Sequence, residues 1–300
     1  MDGRAVLLFA AVIATAGTAQ AQASQDSTRV VLLGTGTPVP SPRTQGPSTA
    51  VVVGKRLFLF DAGAGVVRQM SAADLSTDQI ESIFLTHLHS DHILGVPDAI
   101  FTSWVFGRSS PLRIYGPRGT SSMASHIVAA FAEDIEARTK GPEHAIPNGY
   151  RVNAKDISPG IVYDSAGVRI RAISIPHNVV IPALAYRIDT PDRSIVISGD
   201  TGPSDTLVTW AKDVDILVHE VVDMSFIDGT MPGGADARTY MGTTHTPIEK
   251  LASIAVRANP GTLILTHIIA DSKNEQKVID AIRAAGYRGR IVFGHDIGRY

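Results

Sequence analysis

Short apolar runs alternate with helix-like stretches along most of this chain. The first run, 29–33, reads as a strand and ends in the turn-forming loop Gly34-Thr35-Gly36-Thr37-Pro38. Runs at 49–53 and 56–60 flank Gly54-Lys55 and predict a hairpin. Strands are expected again at 82–86 and 112–115, and helical spacing of apolar residues predicts helices over 91–101 and 119–132. The second half repeats the style, with strands at 168–173, 184–188, 194–198, 216–219, 262–266 and 290–293 and helices at 247–258 and 274–285. Two strand-rich halves with flanking helices predict an α/β domain of two sheets packed face to face with helices outside. Residues 133–158 are polar and carry several Gly and Pro, so they read as an insertion or lid. No linker divides the chain, which makes 24–300 one domain.

The N-terminus breaks this pattern. Arg4 precedes the apolar stretch 5–16, and Ala19-Gln20-Ala21 and Ala21-Gln22-Ala23 both fit a cleavage site for small residues. Residues 1–23 are therefore expected to be a signal peptide, and the mature protein periplasmic or secreted. No later segment is apolar for long enough to span a bilayer, so no membrane partner is expected.

Composition narrows the chemistry. Hydrophobic residues are 44% and charged residues 19% of the chain, as expected of a globular protein. The net charge of −2, with no basic run, argues against nucleic acid as a partner. Cysteine is absent, so any metal must be held by histidine and carboxylate.

Three apolar strands lead into such residues: 83–86 into His87, 195–199 into Asp200, and 263–266 into His267. The richest cluster is Thr86-His87-Leu88-His89-Ser90-Asp91-His92. In an extended segment His87 and His89 project to one side, while Asp91 and His92 open the next helix and point elsewhere. One compact segment thus offers ligands to two neighbouring cations, for which zinc is the expected choice, with manganese or iron also suitable.

This run resembles the H-x-H-x-D-H motif of the metallo-β-lactamase superfamily. The opening Val31 to Pro38, the Phe60-Asp61-Ala62-Gly63 segment and the order of the ligand-bearing strands resemble its ribonuclease Z and arylsulfatase-like branch, here as an exported member. The resemblance implies an αββα sandwich of two mixed sheets. It implies that His87, His89 and His177 hold one metal, that Asp91, His92 and His267 hold the other, and that Asp200 bridges them. Two cations so placed would supply a hydroxide for attack on an ester, with Asp91 orienting the nucleophile or taking its proton. His177 precedes Ala183-Leu184-Ala185-Tyr186-Arg187-Ile188, where Ala185 replaces the Gly of the family's G-Y-R-I strand. His245 matches a histidine that assists the leaving group as a proton donor. Thr246, Pro247 and Glu249 read as a capping box that holds it before a helix. Glu220 is expected to orient His245, and Asp61 to hydrogen-bond a ligand imidazole. Trp104 and Phe106 could line a pocket, though core packing explains such aromatics as well. His126, His144 and His295 have no ligand context.

The expected substrate is a small ester, a phosphodiester or an aryl sulfate. The alternatives are a ribonuclease Z-type phosphodiesterase acting on RNA, then a lactonase or β-lactamase, and, in another class, a non-catalytic metal-binding module. Export and the lack of a Gly- and Lys-rich arm before His177 weigh against RNA. Relatives of this kind often form homodimers.

Overall fold

The computed structural model describes residues 27–230 and 233–300, so the expected signal peptide lies outside the described residues. Strands β1 (Thr28–Gly34), β2 (Ser48–Val53), β3 (Arg56–Phe60), β4 (Ile80–Phe84), β5 (Leu112–Gly116) and β6 (Val152–Asp156) form one sheet in that order. Pairing is antiparallel from β1 to β3 and parallel from β3 to β6. Helices α1 (Val66–Ala72), α2 (Ser90–Ile93), α3 (Val96–Val105), α4 (Thr120–Ala130) and α5 (Ala132–Lys140) connect these strands.

The second sheet holds β7 (Gly160–Ser165), β8 (Val168–Ile175), β9 (Ala183–Asp189), β10 (Ser194–Ile197), β11 (Ile216–Val222), β12 (Thr262–Ile269) and β13 (Arg290–Phe293), also in sequence order. It too is antiparallel first and parallel from β10 onward. Its helices are α6 (Asp205–Trp210), α7 (Met224–Thr230), α8 (Gly234–Thr244), α9 (Ile248–Ala258) and α10 (Glu275–Ala284). None of the described helices is long and apolar enough to cross a membrane.

Alternation along each strand sorts the apolar residues into three layers. Val30, Leu32, Phe58 and Phe60 of the first sheet meet Ile170, Tyr186, Ile216 and Val218 of the second. Their neighbours Val31, Leu33, Leu57 and Leu59 face the other way and pack with Val66, Met70, Ile100 and Trp104. On the far side Leu217, Leu263 and Leu265 pack with Leu251, Ala255 and Ile282. This is the expected αββα sandwich. Strands covered on both faces read as continuous apolar runs, which is why 30–33 and 263–265 lack clean alternation.

Several expectations need correction. The helix expected over 91–101 is broken at Leu94-Gly95 into α2 and α3. A side chain at position 95 would put its Cβ 2.2 Å from the Gly63 carbonyl oxygen, so the chain can pass there only as glycine. Within 133–158, Val152–Asp156 is not an insertion but the edge strand of the first sheet, paired with β5. Its apolar residues are few because it is covered on one side only. Helices α6, α7 and α8 escape a periodicity reading. α6 is short, although Ser204 caps it by accepting from the Leu207 amide at 3.1 Å, and α8 buries only Met241 and Thr244. The strand expected over 262–266 runs on to Ile269, and His267 is an extra residue bulged out of it.

Candidate metal centre

The candidate residues collect at one end of the sandwich, beyond the carboxyl ends of β3, β4, β8 and β10 and at the bulge in β12. Tyr186 donates its hydroxyl to the Leu85 carbonyl at 2.7 Å, and the Leu184 amide donates to the Thr86 carbonyl at 2.9 Å. The second sheet therefore fixes the segment that carries His87.

Asp61, just past β3, fixes two histidines at once. Its Oδ1 accepts from the Thr86 amide at 2.8 Å, and its Oδ2 accepts from the Thr86 hydroxyl at 2.9 Å and from His92 Nδ1 at 2.8 Å. A carboxylate can only accept, so His92 carries its proton on Nδ1. The Thr86 hydroxyl spends its one proton on Asp61 and so accepts from His87 Nδ1, 2.9 Å away. His87 is thereby left with a bare Nε2 lone pair, and His92 turns Nε2, its one uncommitted nitrogen, toward the centre.

Around the first of these lies a cluster of three nitrogens. His89 Nδ1 is 2.9 Å from His87 Nε2 and 3.3 Å from His177 Nε2. His177 Nδ1 donates to the Thr244 carbonyl at 3.0 Å, so its Nε2 is also bare. Burial lowers the pKa of all three, to about 4 for His177 and well below the ordinary range for His87. The neutral imidazole is the form that binds metal.

A second cluster adjoins it. His92 Nε2 lies 3.6 Å from Asp91 Oδ2 and 3.4 Å from Asp200 Oδ1, and His267 Nε2 lies 3.4 Å from Asp91 Oδ2 and 3.3 Å from Asp200 Oδ2. Asp91 Oδ2, His92 Nε2, Asp200 Oδ1 and His267 Nε2 are all buried without a hydrogen-bond partner. Each such atom costs about 1–3 kcal/mol if left alone. Four of them facing one another form a site shaped for a cation. Against the penalty of burial, His267 and His92 hold the Asp200 carboxyl well below the usual range.

Local backbone geometry sets these two residues in place. His267 has φ +43° at the bulge, which turns its ring out of the strand's alternation and toward Asp200. Gly199 has φ +60°, and a Cβ there would come within 2.8 Å of the Thr86 side chain. The close approach of these two strand ends is what sets Asp200 beside His92. The donors present thus fit a pair of divalent cations: His87, His89 and His177 group together, as do Asp91, His92 and His267, and Asp200 lies within reach of both His87 and His267.

His245 stands at the edge of the centre. Its ring stacks on His267 with centroids 5.5 Å apart, and its Nδ1 donates to Glu220 Oε2 at 2.9 Å. Among the described residues Nε2 has no hydrogen bond, so it is the atom free to meet a substrate. Burial lowers its pKa, but the charge and hydrogen bond of Glu220, with Asp200 beyond, raise it more, to about 9. Glu220 is itself buried, and its Oε1 accepts from the Thr201 amide at 2.7 Å. One carboxylate therefore positions both His245 and the turn that follows Asp200. The capping box is not formed. Thr246 donates its hydroxyl to the Thr201 carbonyl at 2.7 Å, which ties His245 to the same turn, and α9 has no side-chain cap.

Every ligand candidate named from the sequence converges here, with His245, Glu220 and Asp61 in contact. The sequence reading missed Thr86 and the Thr244 carbonyl as the groups that orient His87 and His177. A hydroxyl directly before a candidate ligand histidine was a signal for the first, and a backbone carbonyl leaves none for the second. Trp104 is core: its Nε1 donates to the Ile146 carbonyl at 2.8 Å and its ring packs on Phe101 and Tyr150. Phe106 is exposed, as are His126, His144 and His295.

Comparison with known proteins agrees with this geometry. Residues 56–268 match the model of the β-lactamase superfamily domain. A ribonuclease Z of Mycobacterium bovis is 34% identical over 276 residues, covering 90% of this chain and 96% of that protein. The crystal structure of the short form of human tRNase Z superposes with a TM-score of 0.67 at 21% identity, covering 91% of this chain and 98% of that one. The zinc-bound PqqB of Methylobacterium extorquens superposes with a TM-score of 0.61 at 16% identity, covering 91% and 99%.

Proposed function

The chain belongs to the β-lactamase superfamily, in its ribonuclease Z branch with the metallo-β-lactamase fold, and from that premise we propose that it is a two-metal phosphodiesterase. The observation that carries the reading is the pair of donor clusters sharing Asp200, with the His245–Glu220 pair beside them. His87, His89 and His177 would hold one cation, Asp91, His92 and His267 the other, and Asp200 would bridge. Five imidazoles and two carboxylates without a thiolate suit zinc, the metal of the PqqB structure, and leave manganese or iron able to substitute. When bound, such a pair supplies Lewis-acid neutralisation of phosphoryl charge and acidifies water.

The chain's own residues supply the rest. Asp91 orients the attacking water and takes its proton. His245, protonated near neutral pH, gives a proton from Nε2 to the leaving oxygen, and Glu220 holds the ring and its charge in place.

The relatives are ribonucleases by name, so RNA stands ahead of the aryl sulfate and of the small ester first expected. A small phosphodiester remains the second reading, because α5 pairs its cations with neighbouring acids. Arg138 pairs with Asp134 and Glu143, and Lys140 with Glu136. The cleavage pattern at 19–23 supports an exported protein, where a small diester is the more available substrate. The test is a panel of 3′-extended RNA, bis(4-nitrophenyl) phosphate, an aryl sulfate and a lactone on zinc- and manganese-loaded protein. RNA cleavage or small-diester cleavage decides between the two readings. Protein that carries its metals and cleaves only the sulfate or the lactone refutes both.

A further inference from the structure

Among the described residues the two most exposed large hydrophobic side chains are Val179, at 83%, and Ile181, at 80%. Scattered apolar residues on a surface need no explanation. These two share one loop, and that loop begins at His177, a candidate metal ligand.

The loop is held from several sides. The Pro176 carbonyl accepts from the Gly202 amide at 2.8 Å, which ties it to the turn after Asp200. Asn178, at φ +48°, donates from Nδ2 to the Thr244 hydroxyl at 3.1 Å, and His177 donates to the Thr244 carbonyl. The Val180 amide closes back on the His177 carbonyl at 3.0 Å. Thr244 is the residue before His245, and the rings of His177 and His245 are 5.4 Å apart. Two aliphatic side chains are thus presented to solvent by a pinned loop on the side of the centre where the proton donor stands.

We propose that Val179 and Ile181 form the leaving-group subsite, an apolar contact for a planar ring carried by the departing alcohol of a phosphodiester. This rests on the phosphodiesterase reading and on His245 as the donor to the leaving oxygen. β-Branched side chains lose little conformational freedom on contact, because χ1 is already restricted, so they suit a ring face. The ring has two sources, an aryl group or a nucleobase. Polar recognition of a base edge would need donors and acceptors that Val179 and Ile181 lack, so the contact is blind to base identity.

The test uses binding, which does not depend on turnover. Metal-loaded protein and the V179S/I181S double variant are titrated calorimetrically with dimethyl phosphate, diphenyl phosphate and a dinucleoside phosphorothioate. Both positions are exposed, so the variant keeps its fold, checked by its melting temperature and metal content. The parent is expected to bind at least one ring-bearing diester about tenfold more tightly than dimethyl phosphate, equivalent to ~1.4 kcal/mol, and the variant to lose that preference. Loss with diphenyl phosphate assigns the site to an aryl group, and loss with the dinucleoside alone assigns it to a base. A parent without ring preference, or a variant that retains it, overturns the subsite. Failure of the phosphodiesterase reading shows separately, as ring-selective binding without hydrolysis of any diester.

Discussion

Replacing Asp61 by Asn tests the tautomer argument directly. In the parent, Asp61 only accepts, and it receives the Thr86 amide, the Thr86 hydroxyl and His92 Nδ1–H. Asn keeps one acceptor oxygen, which can still take the Thr86 amide through the Oδ1 position. Its NH2 group then faces the Thr86 hydroxyl and His92 Nδ1. Two donors cannot share that contact, so His92 is driven to accept on Nδ1 and to carry its proton on Nε2. That proton points at Asp91 and Asp200, where the second cation would sit. His87 is spared, since the Thr86 hydroxyl can still accept from its Nδ1. The variant should therefore lose affinity at one site and keep the other. Loss of such an orienting partner costs about 10–100-fold in metal affinity, or ~1.4–2.7 kcal/mol. Zinc titration of chelator-stripped protein against a competing chromophoric chelator reads both sites. Parent protein should show two binding steps and Asp61→Asn one step at parental strength with a second weakened. Two parental steps in Asp61→Asn would refute the tautomer argument, and equal weakening of both would show that Asp61 acts on the whole centre through the backbone.

Four further outcomes are expected. His245→Ala should lower kcat by about 10²–10⁴ with metal content unchanged, as read by elemental analysis; a variant that loses metal contradicts the donor role. Gly199→Ala combines a left-handed φ with a Cβ pressed on Thr86, so its melting temperature should drop by an amount equivalent to about 1–3 kcal/mol, and an unchanged value removes that constraint on Asp200. Stripping the metals should lower the melting temperature, because a cation at 100 times its Kd stabilises the native state by about 2.7 kcal/mol; equal melting with and without zinc rejects a folded-state site. Burial opposes ionisation of Asp223, yet Lys277 and Ser225 hold its carboxyl below the ordinary value. Its contribution is present above the unfolded carboxylate pKa near ~4 and lost as pH falls through the lower native value, so Asp223→Asn should flatten the acid limb of a stability–pH curve, and an unaltered limb counts against it.

The sequence by itself determined the donors and the layers. His87, His89, Asp91 and His92 crowd into one segment, and that density is visible without any structure. Apolar runs of strand length marked most of the two sheets, because a strand buried on both faces must be apolar throughout. Boundaries failed where burial was slight, at β6 and α8, and where one close backbone contact decided the outcome, at Gly95. Tertiary structure alone decided how the donors face one another. The Asp61–Thr86–His87 relay, the His177–Thr244 bond, the bulge that turns His267 and the approach of Gly199 to Thr86 all join residues distant in the chain or rest on backbone atoms that every residue possesses. Asp61 and the hydroxyl of Thr86 leave a trace in residue type, but the pairing of the partners and the backbone contacts do not. They nonetheless fix which ring nitrogen is bare and where it points, and this turns a histidine-rich segment into a site built for two cations.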